Sequence, residues 1–210
     1  EGFTTEEIIA TCEKLVDKPR SEISVAVVNE AYAVEHENNL RWVLENLNTV
    51  STTFGGNLEL VNLLALDIET VKERIEKVDV IYVVGGHTDY LMSVFNKSGF
   101  SKILRDLLDS KVYVGSSAGS MVLGKRLSAE AYEMIYGEKG IYGNNDYMGL
   151  VGFSIMPHLD SPHFANRKEK LLEASKYHKG VVYGLRDDSA IVVNGNEITT
   201  IGSEPLIINQ

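Results

Sequence analysis

Residues 111–124 read KVYVGSSAGSMVLG, and this stretch decides the fold class of the chain. An apolar run ends in Gly-Ser-Ser-Ala-Gly at residues 115–119, and a segment of helical character follows. Gly-x-Ser-x-Gly between a strand and a helix is the pattern of a nucleophile elbow, in which a serine occupies a sharp, strained turn. Glycines two positions before and after Ser117 remove side chains that would collide with neighbouring backbone. The pattern predicts an α/β fold with Ser117 as a nucleophile.

Two other serines lie next to Ser117, but neither has glycines on both sides at this spacing. Ser116 is predicted to be a turn residue, and Ser120 a residue of the first helical turn. The start of the predicted helix directs N–H groups toward an oxyanion at Ser117, so the Ala118 N–H is a candidate oxyanion donor. A flexible loop or an anion-binding turn is the alternative interpretation of this stretch.

Strands and helices alternate on both sides of the serine motif. Short runs rich in β-branched residues predict buried parallel strands, and amphipathic segments separate them. This alternation is typical of a doubly wound, mostly parallel sheet with helices on both faces. The turn Asn194-Gly195-Asn196 predicts a C-terminal β-hairpin. The predicted strands are 24–28, 78–84, 111–114, 150–156, 180–183 and 190–193, and the predicted helices include 4–16, 68–77 and 90–108, the last with a break at Ser98-Gly99.

Length and composition restrict the class of protein. The chain has 210 residues, 44% of them hydrophobic, and we predict one domain across residues 1–210. Its 30 acidic and 20 basic residues give a net charge of −10, which does not suit phosphate contacts, so no nucleic-acid partner is expected. No apolar run approaches the roughly 20 residues that cross a bilayer, so no membrane association is expected. The single Cys12 and the lack of a secretory signal favour a cytoplasmic location.

A second glycine turn, Gly85-Gly86-His87-Thr88, follows the predicted strand 78–84. Ligands of open α/β sheets bind beyond the carboxyl ends of the strands, where this turn and Ser117 are both expected. The backbone N–H groups of Gly86 and His87 are therefore candidates for an oxyanion hole, together with that of Ala118. A plain strand-to-helix turn is the alternative interpretation.

A nucleophilic serine needs a base, and the chain has five histidines. His158 follows the predicted strand 150–156, and Asp160 two residues later could fix its imidazole tautomer. We therefore favour His158 as the general base and Asp160 as the orienting acid, with His163 as the alternative base. The three remaining histidines, in polar or glycine-rich segments, are His36, His87 and His178.

These motifs together resemble the peptidase E (aspartyl dipeptidase) family, which has the class I glutamine amidotransferase-like fold with a serine in place of the cysteine. The resemblance covers roughly residues 78–187 and rests on the serine motif, the glycine turn and Phe-Ser-Ile-Met-Pro-His at 153–158. It implies a single class I glutamine amidotransferase-like domain and a serine peptidase of small peptides. It also implies Ser117 as the nucleophile, His158 as the catalytic histidine and aspartyl dipeptides as a substrate class.

The chain departs from the family pattern in two places. The family turn usually reads Gly-Gly-Gly-Asn-Thr, whereas Val84 and His87 occupy two of those positions here. The family's third catalytic residue is an aspartate between the serine and the histidine, but residues 127–133 contain no aspartate. Glu130 within that stretch is therefore the alternative to Asp160 as the acid.

Arg167 resembles the arginine that follows the catalytic histidine in the family. This implies a role in substrate binding, because a guanidinium holds a carboxylate through two parallel hydrogen bonds. The alternative is a surface residue at the start of a helix. Residues 163–167 also match the His-Phe-x-x-Arg pattern of cyanophycinase-like relatives, which supports His163 as the alternative base.

Three functions fit these observations. The first is a serine peptidase that hydrolyses small peptides through an acyl-enzyme. The second is an α/β-hydrolase-type esterase, in which Asp146 would be the acid between Ser117 and His158 in chain order. The third is a catalytically inactive ligand-sensing domain on the same fold. No metal or other cofactor is expected, since no metal-site spacing occurs, and a homo-oligomer is compatible with the sequence.

Overall fold

The structure is a computed structural model that describes residues 2–35, 41–137 and 146–210. His36 lies outside the described residues. The chain divides into two compact units, Gly2–Gly119 and Ser120–Gln210. The single domain expected from the sequence stays a prediction. Within the described residues, each helix is too short or too polar to span a membrane.

The first unit alternates strands and helices along the chain. Its elements are α1 (Glu6–Val16), β1 (Val25–Val28), α2 (Arg41–Thr53), β2 (Leu58–Leu60), α3 (Ile68–Glu76), β3 (Val80–Val83), α4 (Thr88–Ser98), α5 (Phe100–Leu107) and β4 (Val112–Gly115), with 3-10 helices at Arg20–Glu22 and Glu30–Val34. The strands form one parallel sheet in the order β2-β1-β3-β4. All residues of β1 and β3 are buried, as expected for central strands of a parallel sheet.

Local signals set the ends of several helices in this unit. The Thr5 side chain accepts a hydrogen bond from the Ile8 N–H and caps α1, and Asp67 caps α3 in the same way. Gly99 adopts a φ of 82° and ends α4, because this left-handed conformation is accessible to glycine. The break predicted at Ser98-Gly99 is confirmed.

The described residues of the second unit form short strands and helices. The short helix α6 (Ala118–Met121) spans the division between the units. The elements that follow are α7 (Ala129–Tyr136), β5 (Ser154–Met156), α8 (Arg167–Ala174), β6 (Val182–Gly184), β7 (Ala190–Asn194), β8 (Glu197–Ile201) and β9 (Leu206–Ile208), with a 3-10 helix at Ser175–Tyr177. Strand β6 pairs in parallel with β5 and antiparallel with β9, and β7 pairs with β8 as a separate hairpin.

The predicted α/β class is confirmed, with a parallel sheet and C-terminal antiparallel strands. The hairpin turns at Gly195, whose φ is 59°. Strands β2 and β9 were not expected from the sequence, whereas β5 and β6, which also have three residues each, overlap predicted strands. The strand predicted at 150–156 is shorter, and only Ser154–Met156 pairs with β6.

His178 connects the start of α7 to β5. Its Nδ1 accepts a hydrogen bond from the Ser128 N–H at 3.2 Å, and its Nε2 lies 3.4 Å from Ser154 Oγ. Ser128 is also the N-cap of α7. Burial lowers the pKa of His178, because the charged imidazolium is poorly solvated there. A neutral imidazole therefore stabilises this helix end.

We expect the protein to lose stability as the pH falls through the unfolded-state histidine pKa of about 6.5. The loss should end below the lower folded-state pKa of His178, because only between the two pKa values does the unfolded chain bind the extra proton. In His178→Asn, urea unfolding should show a flatter dependence on pH in this window. His163→Asn, at an exposed histidine, should keep the wild-type slope. An unchanged slope in His178→Asn would contradict this prediction.

Candidate active site

Ser117 lies at the sharp turn between β4 and α6. Its φ of 49° places it in the left-handed region, which residues other than glycine rarely adopt. The Ser116 N–H donates to the Val83 carbonyl at 2.9 Å, and the Gly119 N–H donates to the Ser116 carbonyl at 2.8 Å. These bonds hold the strained residue from both sides. The turn therefore has the strand–turn–helix geometry of a nucleophile elbow.

Close packing around this turn requires glycine at two positions. A Cβ atom on Gly119 would lie 2.1 Å from the Val83 carbonyl oxygen. A Cβ atom on Gly85 would lie 2.9 Å from the Ser117 Cβ. The Tyr113 hydroxyl donates to the Gly119 carbonyl at 2.7 Å, and burial raises the pKa of Tyr113 well above its usual range. The tyrosine thus stays a neutral donor that supports the first turn after the serine.

The glycine turn after β3 packs against the 3-10 helix Glu30–Val34. Gly86 adopts a φ of 134°, and a Cβ atom there would lie 2.3 Å from the Ala31 carbonyl carbon. The His87 N–H donates to the Ala31 carbonyl at 2.9 Å, and His87 Nδ1 accepts the Tyr90 N–H at 3.3 Å as the N-cap of α4. The expectation that His87 donates in an oxyanion hole is therefore wrong, because its N–H is already bound. Gly86 and Ala118 stay candidates.

A buried carboxyl group lies at the start of this 3-10 helix. Glu30 is 6% exposed and its Oε1 accepts a hydrogen bond from the Leu63 N–H. Burial raises the pKa of Glu30, and within the described part of the chain its Oε2 has no hydrogen-bond partner. Glu30 thus links the start of this 3-10 helix to the backbone of Leu63. Sequence reasoning missed it, because a single glutamate after a strand forms no recognisable pattern.

His158 follows β5 in the second unit and is 7% exposed. Its φ of 64° is also in the left-handed region. The Leu159 N–H donates to the Leu185 carbonyl at 2.9 Å, which holds the backbone beside it. His158 Nδ1 lies 2.7 Å from Asp187 Oδ1. A carboxylate on Nδ1 keeps the proton there and leaves Nε2 as the acceptor, which is the tautomer of a general base.

Asp160 does not orient His158, contrary to the sequence-based expectation. Its carboxylate is exposed and lies 3.5 Å from Arg186 Nε. The neighbouring Asp187 follows β6, the parallel partner of β5, so both strands end at the same edge of the sheet. The signal for Asp187 was an acidic residue just after a predicted strand. Sequence spacing does not connect the two residues, because Asp187 is 29 positions from His158 in the chain.

The alternative base and acid are both exposed. His163 lies in the segment between β5 and α8, and Glu130 lies in the first turn of α7. Neither has the buried position of His158. The catalytic roles of all these residues stay predictions, and the geometry favours His158 with Asp187.

Arg167 opens α8 and is 7% exposed, so the alternative of a surface residue is wrong. Its guanidinium carbon lies 4.7 Å from the centre of the Tyr136 ring and 4.6 Å from that of Phe164. Across residues 2–35, 41–137 and 146–210, no carboxylate pairs with Arg167. A buried positive charge without a carboxylate beside it is unfavourable, so an anionic ligand would stabilise it. Arg167 borders a cavity of about 330 Å³ whose other lining residues are Ile135, Tyr136, Phe164, Ala165 and Lys170.

Each unit carries groups of a kind used in acyl transfer. The first unit has a strained serine before a helix start, and the second has a buried histidine with a carboxylate on Nδ1 and a buried arginine without a carboxylate partner among the described residues. The serine belongs to the first unit, and the histidine, carboxylate and arginine belong to the second. In the described ranges, no group of three or more His, Cys, Asp or Glu side chains is placed to hold a metal ion.

Comparison with known proteins gives sequence relatives over most of the chain. The model of peptidase family S51 matches residues 6–201. The uncharacterized peptidase Lmo0363 of Listeria monocytogenes is 31% identical over 153 residues, which is 68% of this chain and 73% of that protein. Peptidase E of Haemophilus influenzae is 26% identical over 148 residues, which is 65% of this chain and 59% of that protein.

Two solved structures share the fold. A crystal structure of a peptidase from an acI-B1 Actinobacterium matches with a TM-score of 0.67 at 16% identity, over 97% of this chain and 85% of that one. A Listeria monocytogenes EGD-e protein provisionally named peptidase E matches with a TM-score of 0.72 at 21% identity, over 92% of both chains. At these identities the likeness shows the fold alone.

Proposed function

The chain belongs to peptidase family S51 and is a serine peptidase, and from this premise we propose that Ser117 is its nucleophile, His158 its general base and Asp187 the acid that orients the base. The observation that carries the proposal is the positive φ of Ser117 at the turn between β4 and α6. A serine is held in this conformation only where the surrounding structure compensates for the strain, and such positions are concentrated at active sites.

The proposed reaction proceeds through an acyl-enzyme. Ser117 Oγ attacks the carbonyl carbon of the scissile peptide bond while His158 Nε2 takes the hydroxyl proton, and the N–H groups of Gly86 and Ala118 stabilise the oxyanion. The imidazolium then gives its proton to the leaving amine as the C–N bond breaks. A water molecule, deprotonated by the same imidazole, hydrolyses the ester on Ser117. Asp187 keeps the other imidazole proton on Nδ1 throughout.

We propose a small peptide with an acidic N-terminal residue as the substrate. The buried guanidinium of Arg167 has no carboxylate partner among the described residues, and the planar guanidinium binds a carboxylate through two parallel hydrogen bonds. Lys170 brings a second positive charge to the cavity, with its Nζ 3.3 Å from the Ile135 carbonyl. Removal of the positive charge of Arg167 or Lys170 would weaken binding of an acidic side chain far more than binding of its amide analogue.

A panel of dipeptides with Asp, Glu, Asn and Leu at the N-terminal position tests the substrate class. We expect the ratio of kcat/KM for Asp over Asn to be about tenfold or more, and to fall to near one in Arg167→Met, because a charge-assisted bidentate pair is lost. Arg126→Met is the matched control, since Arg126 also lies over aromatic rings, those of Tyr132 and Tyr147, without bordering the cavity. Equal cleavage of Asp and Leu dipeptides would remove Arg167 from the site and leave the hydrolase chemistry intact.

The sequence is also compatible with an α/β-hydrolase-type esterase and with an inactive ligand-sensing domain. Membership of family S51 contradicts the α/β-hydrolase-type esterase. An inactive ligand-sensing domain would fail to react with a fluorophosphonate, whereas the proposed peptidase should be labelled on Ser117, as intact-mass and peptide mass spectrometry would show.

A cytoplasmic location remains part of the proposal. It is supported by the free Cys12, whose pKa is raised by burial to about 12.

A further inference from the structure

We propose that Phe164 is a positioning residue that couples substrate recognition to the catalytic base, because its single ring contacts both the His158 imidazole and the Arg167 guanidinium. The inference rests on the proposed function of His158 and Arg167. Phe164 itself carries no charge and is not proposed to contact the scissile bond.

The Phe164 ring is stacked on the imidazole. The two ring centres are 4.5 Å apart and the planes differ by 17°. Asp187 holds the same imidazole along its edge, at Nδ1. One partner therefore fixes the edge of the imidazole and the other covers its face, so that the ring plane of His158 is determined by both.

The same phenylalanine also holds the arginine. The Arg167 guanidinium carbon lies 4.6 Å from the centre of the Phe164 ring and 4.7 Å from that of Tyr136. Tyr136 in turn is stacked on Tyr132, with ring centres 4.4 Å apart. Contact with aromatic faces orients the guanidinium, and its Nη1 also donates to Met156 Sδ at 3.9 Å. The remaining N–H groups are left to bind a carboxylate. The orientation of the cation thus depends on Phe164 as well.

Exposure argues against a purely structural role for this side chain. Phe164 is 38% exposed and borders the cavity beside Arg167, whereas Phe153 in the same unit is 6% exposed. A phenylalanine this accessible contributes less to the core than a buried one, since the stabilisation scales with the apolar area removed from water. Its contacts with the base and the cation are the better explanation for an aromatic residue at the rim of the cavity.

Kinetics on matched substrates test the coupling. The test measures kcat and KM of Phe164→Leu, Phe164→Tyr and the control Phe153→Leu on Asp-Leu and Asn-Leu dipeptides. Fluorophosphonate titration gives the concentration of active sites. Phe164→Leu should lower kcat per active site on both dipeptides and also lower the Asp-over-Asn ratio of kcat/KM about tenfold, since both stacking contacts are lost. Phe164→Tyr should keep the wild-type values, because the ring is retained. Phe153→Leu should lower the melting temperature and leave the ratio unchanged.

Binding of succinate separates this inference from the proposed reaction. Calorimetry with the Ser117→Ala protein requires no turnover, and adding Phe164→Leu should weaken succinate binding about tenfold. If the wild-type protein cleaves no dipeptide but succinate binding falls as expected, the proposed reaction fails and the role of Phe164 in recognition stands. If Phe164→Leu keeps the Asp-over-Asn ratio or the succinate affinity of its parent, the inference is overturned.

Discussion

Replacing Ser117 with alanine should lower kcat/KM for every cleaved peptide by about 10⁴-fold or more while the protein stays folded. The alanine methyl group cannot attack a carbonyl carbon, so the acyl-enzyme is not formed. Folding should be preserved, because alanine retains the Cβ of serine and has the same strain at a φ of 49°. Initial rates, thermal melts and the intact mass after fluorophosphonate treatment measure these effects.

Ser116→Ala is the matched control for this experiment. Ser116 is 5% exposed and holds the turn through its backbone N–H to Val83, which alanine retains. Most activity and full fluorophosphonate labelling should therefore remain. Wild-type activity in Ser117→Ala, or labelling transferred to another residue, would show that Ser117 is not the nucleophile.

Replacing Asp187 with asparagine should lower kcat by about 10³-fold with a smaller change in KM. Asp187 Oδ1 lies 2.7 Å from His158 Nδ1 and accepts its proton. An asparagine amide that donates to Nδ1 would shift the imidazole proton to Nε2, and the base would then be unable to take the serine proton. The dependence of kcat/KM on pH and the rate of fluorophosphonate labelling, measured on the same protein, report this loss.

Asp160→Asn provides the comparison, since it changes the acid that lies two residues from the histidine. The Asp160 side chain is 54% exposed and its Oδ2 lies 3.5 Å from Arg186 Nε. Exposed ion pairs contribute little, so the rate should stay within about threefold of wild type. A large loss in Asp160→Asn with a small one in Asp187→Asn would return the orienting role to Asp160.

Local features of the fold were predictable because they depend on residues that are adjacent in the chain. The strained turn at Ser117 and the end of α4 at Gly99 each follow from residues within a few positions. Such features have the same physical cause in any context, namely steric limits on φ and the unpaired N–H groups of a helix start. The three-residue strand β2 shows no such signal.

The sequence by itself determined the α/β class, the elbow around Ser117 and the strand that precedes His158. Only the tertiary structure decided that Asp187 binds His158, that the His87 N–H is taken by Ala31 and that Arg167 is buried without a carboxylate partner in the described residues. These three facts depend on which strands and turns are neighbours in space. Hydrophobic periodicity predicts that a strand exists and is buried, but it does not specify the strand beside it or the length of the loop that follows.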